Sequence, residues 1–153
     1  NAQRVEFYAF GGSAPVAMDG QHKFFRLKIS SSYISDPHLQ FMSANSLGKD
    51  DVVVAISQSG TTAALIESIK IVRKNGAKVI GIMPGDTPLA NICDFPLTIN
   101  VGSNNRISKP VTSRIAYTAV IDVLTMGVAQ LKPEAQDHLY NIADSQRYLK
   151  VDN

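Results

Sequence analysis

Apolar positions along this chain fall into short continuous runs separated by longer stretches with helical spacing. The clearest run is Asp51 to Ile56, where Val52, Val53, Val54, Ala55 and Ile56 follow one another, as in a strand buried on both faces. Lys78 to Met83, with Val79, Ile80 and Ile82, predicts a second strand of this kind. Arg4 to Phe10 predicts an opening strand that Gly11-Gly12-Ser13 breaks, and Lys28 to Tyr33 and Pro96 to Asn100 are weaker strand candidates. Ala14 to Leu27 reads as a helix with Val16, Phe24 and Leu27 toward the core. Asp36-Pro37 has the form of an N-cap followed by proline in the first turn, and predicts a helix to about Asn45. Thr62 to Lys74 places Leu65, Ile69 and Val72 on one helical face, and Gly76 is positioned to end it. Pro84-Gly85-Asp86 predicts a turn, Thr87-Pro88 the start of a short helix, and Val101 to Lys109 a polar loop. Pro110 to Leu131 predicts a long helix with Ile115, Ala119, Val123 and Met126 on one face, while Ala116, Val120, Ile121 and Leu124 widen the apolar surface. A helix this apolar is either central or shared with a partner subunit. Pro133 restarts a polar terminal helix with Leu139 and Ile142.

Strand and helix alternating about five times predict an α/β fold, a three-layer α-β-α sandwich around a five-stranded parallel, doubly wound, flavodoxin-like sheet. In such sheets ligands bind outside the carboxyl ends of the strands. That edge carries the loops at 11–13, 34–38, 57–62, 84–88 and 101–109, so function is sought there.

Composition narrows the partners. The 153 residues are 44% hydrophobic and 18% charged, which predicts one domain over 1–153 with a sizeable core. No apolar run is expected to span a bilayer, because the most apolar stretch, Ile115 to Ala129, is interrupted by Asp122. The single cysteine, Cys93, cannot form an internal disulfide, and the reading is a cytoplasmic protein. Three histidines and one cysteine are widely scattered, which gives no metal-ligand spacing, and no cofactor is implied. The net charge is only +2 and its basic residues form no stripe, so this domain is not expected to grip DNA by itself. The chain opens almost directly in a strand, which predicts a domain separated from an amino-terminal partner.

The chemistry at the carboxyl edge centres on Ser57-Gln58-Ser59-Gly60-Thr61-Thr62, which joins a buried strand to a helix start. Unpaired N–H groups and the positive end of the helix dipole favour an anion there. Ser57, Ser59 and Thr62 add hydroxyl donors, and Gly60 removes a Cβ from the ligand's approach. Donors to a charged group contribute about 1.5–3 kcal/mol each, so four or five would hold a phosphate monoester without a nearby lysine. Helix capping is the competing explanation, but one residue suffices for a cap, and five of the six here bear a hydroxyl or an amide. Neither G-x-x-x-x-G-K-[ST] nor G-x-G-x-x-G is present, which favours a small phosphate ester over a nucleotide. Gly12 and Ser13 lie at the same edge, and Ser13 is either a further ligand contact or a cap. His38 is a candidate contact to a sugar hydroxyl, and Lys109, Arg106 and Arg114 are candidate neutralising cations.

Val54-Ala55-Ile56-Ser57-Gln58-Ser59-Gly60-Thr61-Thr62 resembles the phosphate loop of the sugar isomerase (SIS) domain, typically I-S-x-S-G-x-T. Gly11-Gly12-Ser13 resembles the SIS glycine-serine turn, with Ala9 in place of its first glycine. Asp19 to Leu27, Asp36 to Ala44, and Ser113 to Ala116 through Ile121 to Leu124 are most similar to the effector domain of RpiR-type transcriptional regulators, including the HexR group. The resemblance implies an amino-terminal helix-turn-helix domain that would carry operator DNA binding. It also implies a homodimer or homotetramer, and a phosphorylated sugar or sugar acid as effector. By that match Ser57, Gln58, Ser59, Gly60, Thr61 and Thr62 hold the phosphate, and Gly12, Ser13, His38 and Lys109 meet the sugar. Arg106 to Pro110 departs from the HexR-like pattern, which weakens a match to that group's keto-deoxy-gluconate phosphate. The implied role is sensing, with no catalytic residue. An aldose–ketose isomerase on the same fold is the alternative, and it needs a positioned base. Thr61 stands where several SIS enzymes carry glutamate, Glu67 is expected to be exposed, and His22, His38 and His138 remain as candidate bases.

Overall fold

A computed structural model of the chain describes residues 2–102, 108–145 and 147, with the backbone alone at 108–110, 133 and 136. Five strands, β1 (Arg4–Ala9), β2 (Ser31–Ile34), β3 (Asp51–Ile56), β4 (Lys78–Met83) and β5 (Phe95–Thr98), alternate with α1 (Ala14–Arg26), α2 (Pro37–Ser46) and α3 (Ala63–Lys74). Two further helices, α4 (Ser108–Leu131) and α5 (Pro133–Ser145), close the chain. The strands form one sheet in the order β2-β1-β3-β4-β5, and every pairing is parallel. This is the predicted doubly wound α/β sandwich.

Side chains on successive residues of a strand point to opposite faces, and the two cores follow from that rule. Val5, Phe7 and Ala9 of β1 join Val54, Ile56 and Ile82 beneath α1, α4 and α5, where Phe24, Tyr117 and Ile121 are buried. The Phe7 and Phe24 rings meet edge to face, with centroids 5.3 Å apart. On the other face Tyr8, Val53, Ala55 and Val79 lie beneath α2 and α3, against Leu47, Leu65, Ile69 and Val72.

A polar network under α2 went unread in the sequence. Glu6 is 4% exposed and Tyr8 fully buried, both on the α2 side of β1. The Tyr8 hydroxyl donates to Glu6 Oε2 at 2.9 Å, and the Ser43 hydroxyl donates to the same oxygen. Arg4 pairs with Asp51 at 3.2 Å and lies 3.7 Å from Glu6. Burial, above all, holds the Tyr8 hydroxyl well above the usual phenol range, and the Glu6 carboxylate adds to it.

Several boundaries differ from expectation for local reasons. Lys28 takes the left-handed conformation at φ 59° and its N–H bonds the Phe25 carbonyl, so the turn after α1 consumes Lys28 and Ile29 and β2 starts at Ser31. Thr87-Pro88 opens no helix; only a 3-10 turn at Ala90–Ile92 follows. β5 runs from Phe95 to Thr98 rather than from Pro96 to Asn100, and Pro96 is tolerated because β5 is an edge strand. α4 starts at Ser108, two residues early, because Pro110 sits in the first turn, where no intrahelical N–H is required. The rest of the predicted loop at 103–107 lies outside the described residues.

α4 also corrects the expectation that no stretch is long enough to span a bilayer. By length and composition Val111–Leu131 passes that test, because Asp122 alone does not lower its hydropathy enough. The helix packs by one face on the domain: Ser113, Tyr117, Ile121 and Ala129 are buried, and Asp122 pairs with Lys23 of α1.

Candidate functional site

The chain leaves β1 toward β2 on one side and later returns to β3 on the other, so the order of strands reverses between β1 and β3. A crevice opens at such a switch point. Here a cavity of about 210 Å³ lies at the carboxyl ends of these two strands, lined by Phe10, Gly12, Ser13, Ile56, Ser57, Gln58, Ser59, Thr62 and Leu65. Six of the residues singled out in the sequence, Gly12, Ser13, Ser57, Gln58, Ser59 and Thr62, therefore share one pocket. Phe10, Ile56 and Leu65 were missed as lining; their apolar character marks them as strand and helix residues, and only the topology brings them to the pocket.

The hydroxyls are arranged for donation. The Ser57 N–H donates to the Ile82 carbonyl at 3.0 Å, which fixes the loop's start to β4. Ser57 Oγ then accepts from the Gly60 N–H at 3.0 Å, and Ser59 Oγ from the Thr61 N–H at 3.2 Å. A serine hydroxyl that accepts still carries its own proton, so both can donate to a bound anion. Thr62 is the N-cap residue of α3 and makes no side-chain cap bond. Ser13 holds the same position on α1, also without a cap bond, and is 4% exposed. Asp36, in contrast, caps α2 by accepting from the Leu39 N–H at 2.9 Å. Capping therefore does not account for the hydroxyls of this loop. The first-turn N–H groups of α3 have no intrahelical partners, and Thr62 and Leu65 at this helix start line the cavity. None of the described residues lining the cavity is charged, so what they offer an anion is hydroxyls, amides and the helix dipole.

Other expected residues sit elsewhere. Gly60 and Thr61 do not line the cavity. Gly60 adopts φ 65°, and a Cβ there would meet Thr87 Oγ1 at 2.3 Å; its small size serves packing on Thr87 rather than the ligand's approach. His38 lies exposed in the first turn of α2, at the same edge but outside the cavity lining. Arg106 and the side chain of Lys109 lie outside the described residues, and Arg114 is exposed on α4. His22 is exposed on α1, His138 lies on α5, and Glu67 is exposed in a 2.6 Å pair with Lys70. Ala9, which replaces the first glycine of the expected turn, ends β1 fully buried, so its Cβ is accommodated in the core.

Comparison with known proteins agrees with this architecture. The regulator HexR of Pseudomonas aeruginosa is 38% identical over 145 residues, covering 94% of this chain and 51% of the regulator. The bifunctional protein glk of Burkholderia thailandensis is 40% identical over 129 residues, covering 84% of this chain and 20% of that protein. The chain thus spans about half of the length of one of these relatives and a fifth of the other. Among solved structures, the Vibrio vulnificus NanR protein complexed with ManNAc-6P superposes with a TM-score of 0.89 at 21% identity, over 99% of this chain and 58% of that one. The SIS domain model matches residues 1–127, and with the parallel sheet, the switch-point cavity and the serine-rich loop in place, the chain belongs to the SIS domain family.

Proposed function

We propose that this chain is the phosphosugar-sensing domain of a bacterial transcriptional regulator of carbohydrate metabolism. The observation that carries the reading is the loop itself: Ser57 and Ser59 accept from the loop's own amides and keep their protons for an anion at the start of α3. Similarity to HexR, and the fold shared with a NanR bound to ManNAc-6P, support the sugar phosphate and the regulatory setting. In this reading a sugar or sugar-acid phosphate binds with its phosphate on Ser57, Gln58, Ser59 and Thr62. Gly60 and Thr61 shape the loop, and Gly12 and Ser13 face the sugar, with His38 and Lys109 closing on its far end. Operator DNA is reached through an amino-terminal helix-turn-helix domain, in the cytoplasm, and the regulator works as a homodimer or a pair of dimers. In this reading the role is sensing rather than catalysis, and among the described residues no carboxylate or imidazole lines the cavity.

A ligand that binds only the native state raises stability, by about 2.7 kcal/mol at a hundred times its Kd. A panel of sugar phosphates and sugar-acid phosphates is therefore expected to contain one that raises the melting temperature, and Ser57→Ala with Ser59→Ala is expected to remove the shift. A well-folded protein that responds to none of them sinks the reading. Incubation with ketose phosphates is expected to yield no aldose; product formation would establish an isomerase instead.

A further inference from the structure

From the packing around Gly60 we infer that Thr87, on the β4–β5 connection and outside the cavity, is a positioning residue for the anion-binding loop. The inference rests on the phosphate-binding reading of that loop. Thr87 is 9% exposed and fills the space that a side chain on Gly60 would occupy: a Cβ there would lie 2.3 Å from Thr87 Oγ1, 2.5 Å from its Cβ and 2.7 Å from its Cγ2. The threonine is itself fixed at both ends. Its hydroxyl donates to the Pro84 carbonyl at 3.1 Å and accepts from the Ala90 N–H at 3.3 Å. Two residues on, the Leu89 N–H donates to the Gly60 carbonyl at 3.1 Å, and the Leu89 side chain is fully buried beneath α3.

These contacts decide which groups of the loop remain for a ligand. The Gly60 N–H is held by Ser57 Oγ and the Gly60 carbonyl by the Leu89 N–H, so both backbone polar groups of this residue are committed inside the protein. With Gly60 at φ 65°, the chain turns after Ser59 and enters α3 with Thr62 at the cavity wall. A residue with a Cβ strains this backbone conformation and collides with Thr87. Without Thr87 the glycine has room on that side, and the most permissive residue of the loop is restrained by its two hydrogen bonds alone. A site held in its binding geometry before the ligand arrives loses less freedom on binding. Thr87 therefore affects affinity without touching the ligand, by holding Ser57, Ser59 and Thr62 in register with the start of α3.

The test compares Thr87→Ala, Thr87→Val and Thr87→Ser with the wild type by calorimetric titration of glucose 6-phosphate, 6-phosphogluconate and inorganic phosphate. Ile69→Val, a buried change on α3 away from the loop, serves as a stability control. T87A is expected to weaken the binding probe by about tenfold or more, since small misplacements of a binding group are costly. T87S, which keeps the hydroxyl bonds, is expected to stay near the wild type, and T87V, which keeps the shape, to fall between. I69V is expected to lower the melting temperature with unchanged Kd, which separates positioning from general loosening. Amide resonances of Ser59 to Ala63 in the ligand-free protein are expected to move in T87A and not in I69V. If T87A does not fold, T87V carries the comparison. Wild-type affinity in T87A, or in T87V where that variant stands in, overturns the inference, and so does an equal loss in I69V. A wild type that binds no probe instead overturns the phosphate reading on which it rests.

Discussion

Gly20 sits in α1, where replacement of glycine by alanine ordinarily stabilises a helix by about 1 kcal/mol. Here a Cβ would approach the buried Phe7 ring to 2.5 Å at Cε1 and 2.9 Å at Cδ1. Phe7 is fully buried and packs edge to face on Phe24, so the ring has no room to withdraw. Overpacking a core costs about 1–3 kcal/mol and outweighs the propensity gain; Gly20→Ala is expected to lower stability in urea unfolding. Cys93 is a second case where surroundings override residue type. Burial, and then the neighbouring Asp94 carboxylate, push its thiol from the ordinary 9.0 up to about 11. The thiolate is the reactive form, so alkylation by iodoacetamide at pH 8 is expected to be about a hundredfold slower than for an unperturbed thiol. The same shift bears on stability. The unfolded chain ionises this thiol near 9 and the folded chain near 11, so its contribution is complete below pH 9 and is lost as pH rises through about 11.

At the scale of elements, α4 is the helix whose place the sequence leaves open. In the sequence Ile115, Ala119, Val123 and Met126 mark one face of a helix that is either central or shared with a partner subunit. In the fold Ile115 is 67%, Val123 71% and Met126 61% exposed, while Tyr117 and Ile121 face inward. Met18 and Phe25 of the adjoining α1 are also exposed. Two apolar stripes on one helix satisfy both alternatives that the sequence leaves open, a helix central to its own domain and one shared with a second subunit. Ile115→Lys with Val123→Lys is expected to shift the protein toward monomer in size-exclusion chromatography with light scattering. Its melting temperature at low concentration should scarcely change, since exposed substitutions seldom exceed about 0.5 kcal/mol. A wild type that is monomeric at high concentration sinks this assignment. β3, β4 and α3 were legible almost to the residue, because a buried strand and a one-faced helix each leave a strong local period. β2 and β5 were not, being short edge strands whose limits depend on Lys28's left-handed turn and on pairing with β1 and β4. The serine-rich loop was legible as chemistry. Thr87's place behind Gly60 was not, since 27 positions separate the two in the chain and no local pattern links them. The Glu6–Tyr8–Ser43 network was hidden for a similar reason: a glutamate in a strand reads as solvent-facing until α2 is laid over it.

For the whole molecule, the same helix links the cavity to the outward apolar surface. The α4 helix packs against the 3-10 turn of Gly11–Ser13 and along α1, and Ser13 of that turn lines the cavity. A ligand that moves this turn acts on α4, and α4 carries the exposed stripe of Ile115, Val123 and Met126. If that stripe is where two copies meet, binding and assembly are thermodynamically linked, and the linkage is reciprocal: the factor by which the ligand changes the dimer constant equals the factor by which dimerisation changes ligand affinity. Coupling of about 1–3 kcal/mol, usual between allosteric sites, would change either constant by about 5–150-fold. The Kd of the bound sugar phosphate is therefore expected to depend on protein concentration across the dimer's dissociation range, and to lose that dependence in the Ile115→Lys, Val123→Lys variant. Sedimentation at saturating and zero ligand should return the same factor. A Kd that stays constant across that range, with a dimer constant indifferent to ligand, would mean that the turn holding Ser13 and the outer face of α4 do not communicate. In the proposed regulator, a signal to the DNA-binding domain would then have to leave the cavity by another route, through α2 or α3 on the opposite face of the sheet.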